Sequence, residues 1–289
     1  MMALEAMLKR GVYKVLRSDG TILNNPYISG KLVPLQGKGA HCILMKPSSN
    51  GSSNGDLPVP PRELWAGYGS TPEEYLALGR EHMGSMLDIL QKAGAAPSQL
   101  LRVLEFGCAA ARMLRFYPYT PGASEIWGVD IESRHISWCQ QHLSPPFLFA
   151  TTTTMPHLPF EDNYFDLVYC GSVFTHISDL ADAWFLELRR VLRKGGYAYI
   201  TIHDEHTVKL LLEKGIKPEL VDAIRELDQT DALLSQDYAC FWIAETPSYP
   251  LPNVFYNSEY ITRKWSKLAK ILSVNREAYG YQTALLIQK

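Results

Sequence analysis

A run of small residues after an apolar stretch is the first feature of the sequence that could bind a ligand. The stretch begins at Val103 and contains Glu105, and the small residues run from Gly107 to Ala111. This pattern predicts a buried strand, a tight loop and a helix that begins at about Arg112. In an open α/β sheet, ligands bind at the carboxyl ends of the strands, against such a turn. The loop is therefore a candidate ligand site.

A second acidic residue, Asp130, ends the next apolar stretch. It follows the loop by about 20 residues, where a carboxylate can accept hydrogen bonds from both hydroxyls of a ribose. A dinucleotide needs a second loop glycine because its pyrophosphate approaches the backbone closely, but that position is Ala109 here. S-adenosylmethionine has no pyrophosphate, and Glu105 and the loop amides could contact its amino acid and sulfonium. The loop therefore favours this methyl donor over NAD.

Two histidines follow later strands and are candidates for a mild base. His176 comes after the predicted strand Phe165–Cys170, and His203 ends the predicted strand Tyr197–His203. Histidine titrates in the range where a base can take a proton from an acceptor hydroxyl, so both are predicted catalytic residues. The alternative is that they only hold their loops. The polar residues directly after His203 lack a further carboxylate at a suitable spacing, so no metal site is expected.

The elements that must position these residues alternate between strands and helices. The predicted strands are Arg102–Phe106, Glu125–Asp130, Phe147–Ala150, Phe165–Cys170 and Tyr197–His203, and the predicted helices are Thr71–Gly94, Ser133–His142 and Leu180–Leu192. This order predicts an α/β fold with a Rossmann-like, doubly wound, mostly parallel sheet of seven strands. The connection between the last two strands, Lys270–Val274 and Gln282–Gln288, is too short for a parallel crossover, so the last strand is expected to be antiparallel.

The rest of the chain divides into an appendage, a linker and an insertion. Residues 1–46 are predicted to form a small β-containing appendage, with a hairpin over residues 12–23, that packs on the main domain or mediates a homodimer. Residues 47–61 are rich in Gly, Ser, Asn and Pro, which predicts a flexible linker. Residues 62–289 are the main domain, in which residues 204–253 form an insertion on the substrate side that begins with helical sequence.

Composition argues against several classes of partner. The formal net charge is −2 and no basic stripe is visible, so a nucleic-acid partner is not expected. No apolar run approaches the roughly 18 residues of a transmembrane helix, and the N-terminus is not typical of a secretory signal, so no membrane association is expected. The 5 cysteines are scattered and odd in number, which predicts neither disulfides nor a zinc site and favours the cytoplasm.

Four segments in chain order resemble a known family. VLEFGCAAARMLR, IWGVDI, LPFEDNYFDLVYCGSVFTHI and ELRRVLRKGGYAYITI resemble the successive motifs of class I S-adenosylmethionine-dependent methyltransferases of the bacterial small-molecule type. The resemblance covers Leu101–Lys289. Its one departure is the alanine-rich loop, where the family usually has Gly-x-Gly.

The resemblance implies a cofactor, S-adenosyl-L-methionine, and the residues that bind it. These residues are Glu105, Gly107, Cys108, Ala109, Asp130, Ile131, Thr154, Met155, Cys170 and Gly171. The first four are expected to hold the methionine part and the next two the ribose and adenine. Thr154 and Met155 would lie at the adenine edge, and Cys170 with Gly171 would offer a backbone carbonyl to the ammonium group.

The implied function is methyl transfer to a small-molecule substrate, most simply to a hydroxyl of a sugar or a similar polar metabolite. Methylation of nitrogen or carbon is an alternative. A catalytically inactive scaffold that binds S-adenosylmethionine is a further alternative, because the loop departs from the family pattern. The acceptor pocket would be built from the appendage and the insertion, since acceptor specificity in this fold comes from variable segments.

Overall fold

The computed structural model describes residues 57–226, 235–243 and 251–289, together with two short strands at 32–34 and 42–44. The strands are β1 (Leu32–Pro34), β2 (Cys42–Leu44), β3 (Arg102–Phe106), β4 (Glu125–Asp130), β5 (Leu148–Thr151), β6 (Phe165–Cys170), β7 (Leu192–Ile202), β8 (Tyr238–Ile243), β9 (Leu251–Tyr256), β10 (Lys270–Tyr279) and β11 (Gln282–Gln288). The α-helices of these segments are α1 (Pro72–Lys92), α2 (Ser133–His142), α3 (Ala181–Val191), α4 (Glu205–Lys214), α5 (Pro218–Glu226) and α6 (Ser258–Trp265).

Seven strands form the central sheet in the order β10-β11-β7-β6-β3-β4-β5. The strands β3 to β7 pair in parallel, whereas β11 is antiparallel to both β7 and β10. The predicted Rossmann-like sheet and its antiparallel last strand are confirmed. The strand order places β3 and β4 side by side near the centre, so the predicted cofactor loop and Asp130 emerge next to each other at the carboxyl edge.

Helices cover both faces of the sheet because each strand directs apolar side chains to both faces. In β3, for example, Val103 joins the core under α1 and α2, and its neighbour Leu104 joins the core under α3 and α6. Successive side chains of a strand point to opposite faces, so a strand that is buried on both sides is mostly apolar. On the α3 side the rings of Phe185 and Trp265 stack at 4.2 Å.

The predicted helix beginning at Arg112 is wrong. The chain makes turns there, and the only helical piece between β3 and β4 is the short 3₁₀ segment Leu114–Phe116. Ala111 has a φ of 59°, in the left-handed region, so a right-handed helix can begin only after it. Tyr117 is already extended, at φ −66° and ψ 129°, because it precedes Pro118. Too few residues remain between these two limits for an α-helix.

Helix α1 packs against the segment after the loop, where a helix was predicted. A Cβ on Gly79 of α1 would lie 2.3 Å from the carbonyl oxygen of Arg112, so only glycine permits this approach. The guanidinium of Arg80 lies 4.7 Å from the centre of the Phe116 ring in the 3₁₀ segment. The helix that precedes the sheet in sequence therefore packs on the segment directly after the candidate ligand loop.

The outer segments are described only in part. Strands β1 and β2 form an antiparallel pair, while the predicted hairpin over residues 12–23 lies outside the described residues. The described end of the predicted linker, 57–61, contacts the main domain: the carbonyl of Pro58 accepts a hydrogen bond from Arg115 at 3.0 Å. The predicted helical start of the insertion is found as α4 and α5, and an unpredicted antiparallel hairpin, β8–β9, follows. No helix of the described segments is long and apolar enough to span a membrane.

Candidate functional site

The loop after β3 has the backbone of a glycine-rich loop although it contains alanines. Gly107, Ala109 and Ala111 have positive φ angles of 75°, 45° and 59°. The amides of Gly107 and Cys108 donate hydrogen bonds of 2.8 and 3.0 Å to the carbonyl of Val129 in β4. A left-handed conformation costs an alanine about 1–2 kcal/mol. The loop is therefore held in a strained form by its contacts with the neighbouring strand.

Asp130 joins the loop to the end of β4. Its carboxylate accepts one hydrogen bond from the amide of Ala109 and one from the amide of Glu132, both at 2.8 Å. Each carboxylate oxygen can accept a second hydrogen bond, so two acceptor positions remain for ligand hydroxyls. Burial raises the pKa of Asp130 above its ordinary value, and the nearby His135 opposes that shift.

Glu105 lies at the end of β3 but is turned into the protein. Its carboxyl group is buried and accepts hydrogen bonds from the amide of Leu114 at 3.0 Å and from the hydroxyl of Tyr169 at 3.2 Å. Burial raises the pKa of Glu105 to about 8, and Arg112 acts in the opposite direction. In this arrangement Glu105 binds the segment after the loop through the amide of Leu114. Its predicted contact with the methionine part stays a prediction.

The two cysteines among the predicted site residues are packed as small apolar groups. Cys108 and Cys170 are buried, and burial raises the pKa of both thiols, so they stay protonated at neutral pH. The sulfur of Cys108 takes up the space that a side chain at Gly128 would need: a Cβ there would lie 2.8 Å from it. Any contact of these two residues with a ligand would therefore be made by their backbone atoms.

Two exposed apolar side chains follow the neighbouring strands β4 and β5. Ile131 is 41% exposed directly after β4, and Met155 is 56% exposed after β5. Thr154 beside Met155 is exposed as well. Flat apolar ligands bind between such side chains. Ile131 and Met155 thus expose apolar surface after two neighbouring strands, and their predicted contact with adenine, like that of Thr154, stays a prediction.

A buried polar chain fixes the loop after β6. Thr201 accepts a hydrogen bond of 2.7 Å from the amide of Ser172 and donates one of 2.7 Å to Gln282, which donates in turn to the Ser172 hydroxyl at 2.8 Å. A Cβ on Gly171 would lie 2.5 Å from the ring of Tyr279, so that ring lies directly on the backbone here. This network holds Ser172, the residue directly after Gly171.

His176 lies half-buried in the 3₁₀ segment Phe174–His176. Its Nδ1 lies 2.8 Å from the carbonyl oxygen of Pro252 in β9. Because a carbonyl only accepts, Nδ1 carries the proton, and the basic nitrogen of the neutral ring is Nε2. The insertion thus orients this histidine through β9.

His203 is in a different environment. Only 2% exposed, its ring packs between those of Phe255 and Tyr281, at centroid distances of 4.8 and 5.6 Å. Neither ring nitrogen has a hydrogen-bond partner among the described residues. Burial lowers the pKa of His203 to about 3, and the nearby His176 adds to that shift. The next residue, Asp204, caps α4 by accepting a 2.9 Å hydrogen bond from the amide of Thr207.

The structure adds a cluster that the sequence interpretation missed. Arg112, which was expected only to begin a helix, is 5% exposed and lies against Tyr68, His82 and Tyr279. Tyr68 precedes α1, His82 lies within it, and Tyr279 ends β10. The one signal in the sequence was an arginine directly after the ligand loop, because its partners come from distant segments.

Comparison with known proteins gives a consistent result. Residues 104–200 match the family model described as "Methyltransferase domain". The chain is 33% identical over 102 residues to the probable phthiotriol/phenolphthiotriol dimycocerosates methyltransferase 2 of Mycobacterium ulcerans, which is 35% of this chain and 39% of that protein. It is 31% identical over 100 residues to the fatty-acid O-methyltransferase of Mycolicibacterium smegmatis, 35% of this chain and 36% of that one. The matches thus span well under half the length of these relatives.

A solved structure extends the similarity beyond the matched residues. The magnesium protoporphyrin IX methyltransferase of Synechocystis PCC 6803, with bound SAH, superposes with a TM-score of 0.50. The superposition covers 79% of this chain and 92% of that one, at 15% sequence identity. At this identity, the similarity concerns the fold.

Proposed function

We propose that this chain is a class I S-adenosylmethionine-dependent methyltransferase and that it transfers a methyl group from S-adenosylmethionine to a hydroxyl of a small molecule, such as a sugar or a similar polar metabolite. The observation that carries the proposal is the hydrogen bond from the amide of Ala109 to Asp130. It joins the loop that would hold the amino-acid end of the cofactor to the carboxylate that would hold its ribose.

The residues at this edge fit the cofactor. Asp130 keeps two acceptor positions for the ribose hydroxyls, and the exposed side chains of Ile131 and Met155 offer apolar surface to adenine. Gly107 and Ala109 would contact the methionine part through their backbone. The Cβ of Ala109 narrows the loop where a dinucleotide would place its pyrophosphate. When bound, S-adenosylmethionine supplies an electrophilic methyl group on its sulfonium.

The residues of the chain would then contribute position and a base. Holding the acceptor oxygen in line with the methyl group and keeping water away supply much of the rate in such a transfer. His176 is the better candidate to take the acceptor proton, because its Nδ1–H is oriented by Pro252 and Nε2 is the basic nitrogen. His203 is the weaker candidate, since burial lowers its pKa to about 3.

The name of one relative supports oxygen as the acceptor atom. One relative is named as a fatty-acid O-methyltransferase and another as a methyltransferase of phthiotriol/phenolphthiotriol dimycocerosates. A lipid-like hydroxyl or carboxyl acceptor is therefore the second candidate beside a sugar hydroxyl. Methylation of nitrogen or carbon, and a cofactor-binding scaffold without turnover, stay as alternatives.

A search for labelled products tests this function. The protein is incubated with S-adenosylmethionine that carries a labelled methyl group and with fractionated polar and lipid metabolites, and products are identified by mass spectrometry. We expect one labelled, O-methylated product that is absent when the His176→Ala variant replaces the wild-type protein. Binding of S-adenosylhomocysteine with no labelled product from any fraction would instead support the scaffold alternative.

A further inference from the structure

The guanidinium of Arg112 is a buried cation whose contacts leave its charge unbalanced. Its Nη2 donates a 3.1 Å hydrogen bond to Nδ1 of His82 and a further one to the hydroxyl of Tyr279. Its Nη1 is buried and has no hydrogen-bond partner in the described part of the chain. The guanidinium carbon lies 3.8 Å from the centre of the Tyr68 ring. No described carboxylate forms a salt bridge with Arg112.

The groups within hydrogen-bond distance of this arginine are neutral, and the buried carboxyl group that interacts with it electrostatically, Glu105, has a pKa that burial raises to about 8. His82 must accept through Nδ1, since arginine only donates, and burial lowers the pKa of His82 to about 3. Burial also raises the pKa of Tyr279 well above its usual value, so that side chain stays a phenol. The hydroxyl of Tyr279 donates to that of Tyr68 at 3.0 Å. A buried cation without a counter-charge is costly, because burial removes its hydration.

We infer that Arg112, oriented by Tyr68, His82 and Tyr279, is a receptor for a carboxylate group of a ligand. The unpartnered Nη1 offers the hydrogen bonds that a carboxylate accepts from arginine, and the aromatic rings exclude water around it. The inference deepens the proposed function and rests on its cofactor site. Arg112 directly follows the ligand loop, and the Tyr279 ring lies on Gly171 at the end of β6.

Two sources of the carboxylate fit this place. One is the amino-acid end of the cofactor, which would lie between the loop after β3 and the end of β6. The other is an acidic acceptor, bound beside the cofactor under α1. Both use the same chemistry, so binding measurements on two kinds of probe are needed to separate them.

The experiment compares wild-type protein with Arg112→Gln and with the matched control Arg115→Gln. Arg115 is also a buried arginine of this segment, and its Nη2 likewise has no hydrogen-bond partner among the described residues. It differs from Arg112 because its Nε and Nη1 are held by main-chain carbonyls, those of Ala111 and Pro58. Calorimetry measures the affinity of S-adenosylhomocysteine and of its decarboxylated analogue, which lacks only the carboxylate. A second series titrates octanoate and, as its neutral twin, octanol into the free protein and into its S-adenosylhomocysteine complex. Circular dichroism and thermal unfolding establish that each variant is folded. If Arg112→Gln does not fold, Arg112→Lys, which keeps the charge, is measured in its place.

If the carboxylate is that of the cofactor, wild type prefers S-adenosylhomocysteine over the decarboxylated analogue by about 10–100-fold, and the Arg112 variant loses that preference. If it belongs to the acceptor, the variant keeps the preference but loses binding of octanoate, while octanol is unaffected. Unchanged discrimination in both series, or equal losses in Arg115→Gln, would overturn the inference. Failure of wild type to bind either nucleoside would contradict the proposed function, and octanoate binding to the free protein would still test Arg112.

Discussion

The two edges of the central sheet differ in whether their buried polar side chains have partners within the protein. At the amino edge, Asp166 accepts hydrogen bonds of 2.8 Å from the amides of Leu101 and Arg102, and its charge is balanced by Arg193. At the carboxyl edge, Asp130 accepts from two amides at the same distance of 2.8 Å, yet no arginine or lysine of the described residues forms a salt bridge with it. The two aspartates have the same backbone role, and only one has a charged partner.

A similar contrast holds for other polar side chains at the two edges. Buried nitrogen atoms of Arg112 and His203 at the carboxyl edge have no hydrogen-bond partners among the described residues. At the amino edge, Glu125 accepts from Trp127 at 2.7 Å and from the hydroxyl of Tyr164. Native proteins satisfy most of their buried polar groups, so a set left without partners indicates where a ligand completes the structure. We therefore expect the amino edge mainly to stabilise the fold and the carboxyl edge to bind a ligand.

The largest expected effect concerns the proposed base. His176→Ala should lower turnover on the identified acceptor by about 10²–10⁴-fold, because proton removal is no longer assisted. Affinity for S-adenosylhomocysteine should barely change. His206→Ala is the control, since its ring pairs with Glu277 at 3.0 Å. Near-normal turnover in the His176 variant would remove this histidine from the mechanism.

The two aspartates give the next largest effect and the sharpest form of the comparison. Asp130→Ala should weaken binding of S-adenosylhomocysteine by about 1.5–3 kcal/mol, the scale of lost hydrogen bonds to a charged group. Asp166→Ala removes the same number of amide hydrogen bonds and should lower Tm without changing affinity. Calorimetry and thermal unfolding on both variants check this. Equal losses of affinity would mean that the edges do not differ in function.

A smaller effect is expected from the strained loop. Ala109→Gly should raise the free energy of unfolding by about 0.5–1 kcal/mol, because glycine adopts the φ of 45° without the steric cost but gains entropy when unfolded. Ala110→Gly is the control: its φ is not positive and it is fully buried, so the same change should destabilise by about 1 kcal/mol. Denaturant unfolding measures both. Destabilisation by Ala109→Gly would show that the loop is not strained.

A change in the pH dependence of stability is expected from Glu105→Gln. Folded Glu105, with a pKa of about 8, holds a proton that the unfolded chain releases near its ordinary value of 4.5. The native state therefore binds more protons between these values, so this residue makes unfolding easier as pH rises from about 5 to 8. Glutamine can accept the same hydrogen bonds from Leu114 and Tyr169. The stability of the variant relative to wild type should therefore increase over this range, and parallel curves would contradict the buried, protonated state.

The sequence was sufficient for the sheet but not for the backbone of its central loop. Apolar runs predicted β3, β4 and β6 because a strand buried on both faces is mostly apolar. A helix at about Arg112 was predicted because an apolar strand followed by a run of small residues commonly leads into a helix. Contacts with Val129 and Asp130 instead hold the loop in left-handed conformations. A local sequence pattern does not include such long-range hydrogen bonds.

The candidate site was predictable where one segment supplies it. Asp130 and His176 each follow a recognisable strand, so their position at the carboxyl edge followed from the topology. The cluster at Arg112 combines residues from before α1, from α1 and from the end of β10, and no local pattern relates them. The same reason explains why the sequence did not predict that the β8–β9 hairpin orients His176 through Pro252.

Isothermal titration calorimetry of the wild-type protein with S-adenosylhomocysteine and with NAD tests most directly whether the carboxyl edge is a cofactor site for methyl transfer. We expect S-adenosylhomocysteine to bind with a micromolar Kd and NAD to give no binding heat, because Ala109 adds a Cβ where a pyrophosphate would approach the loop. Tighter binding of NAD, or no binding of S-adenosylhomocysteine to the folded protein, would contradict the proposed cofactor.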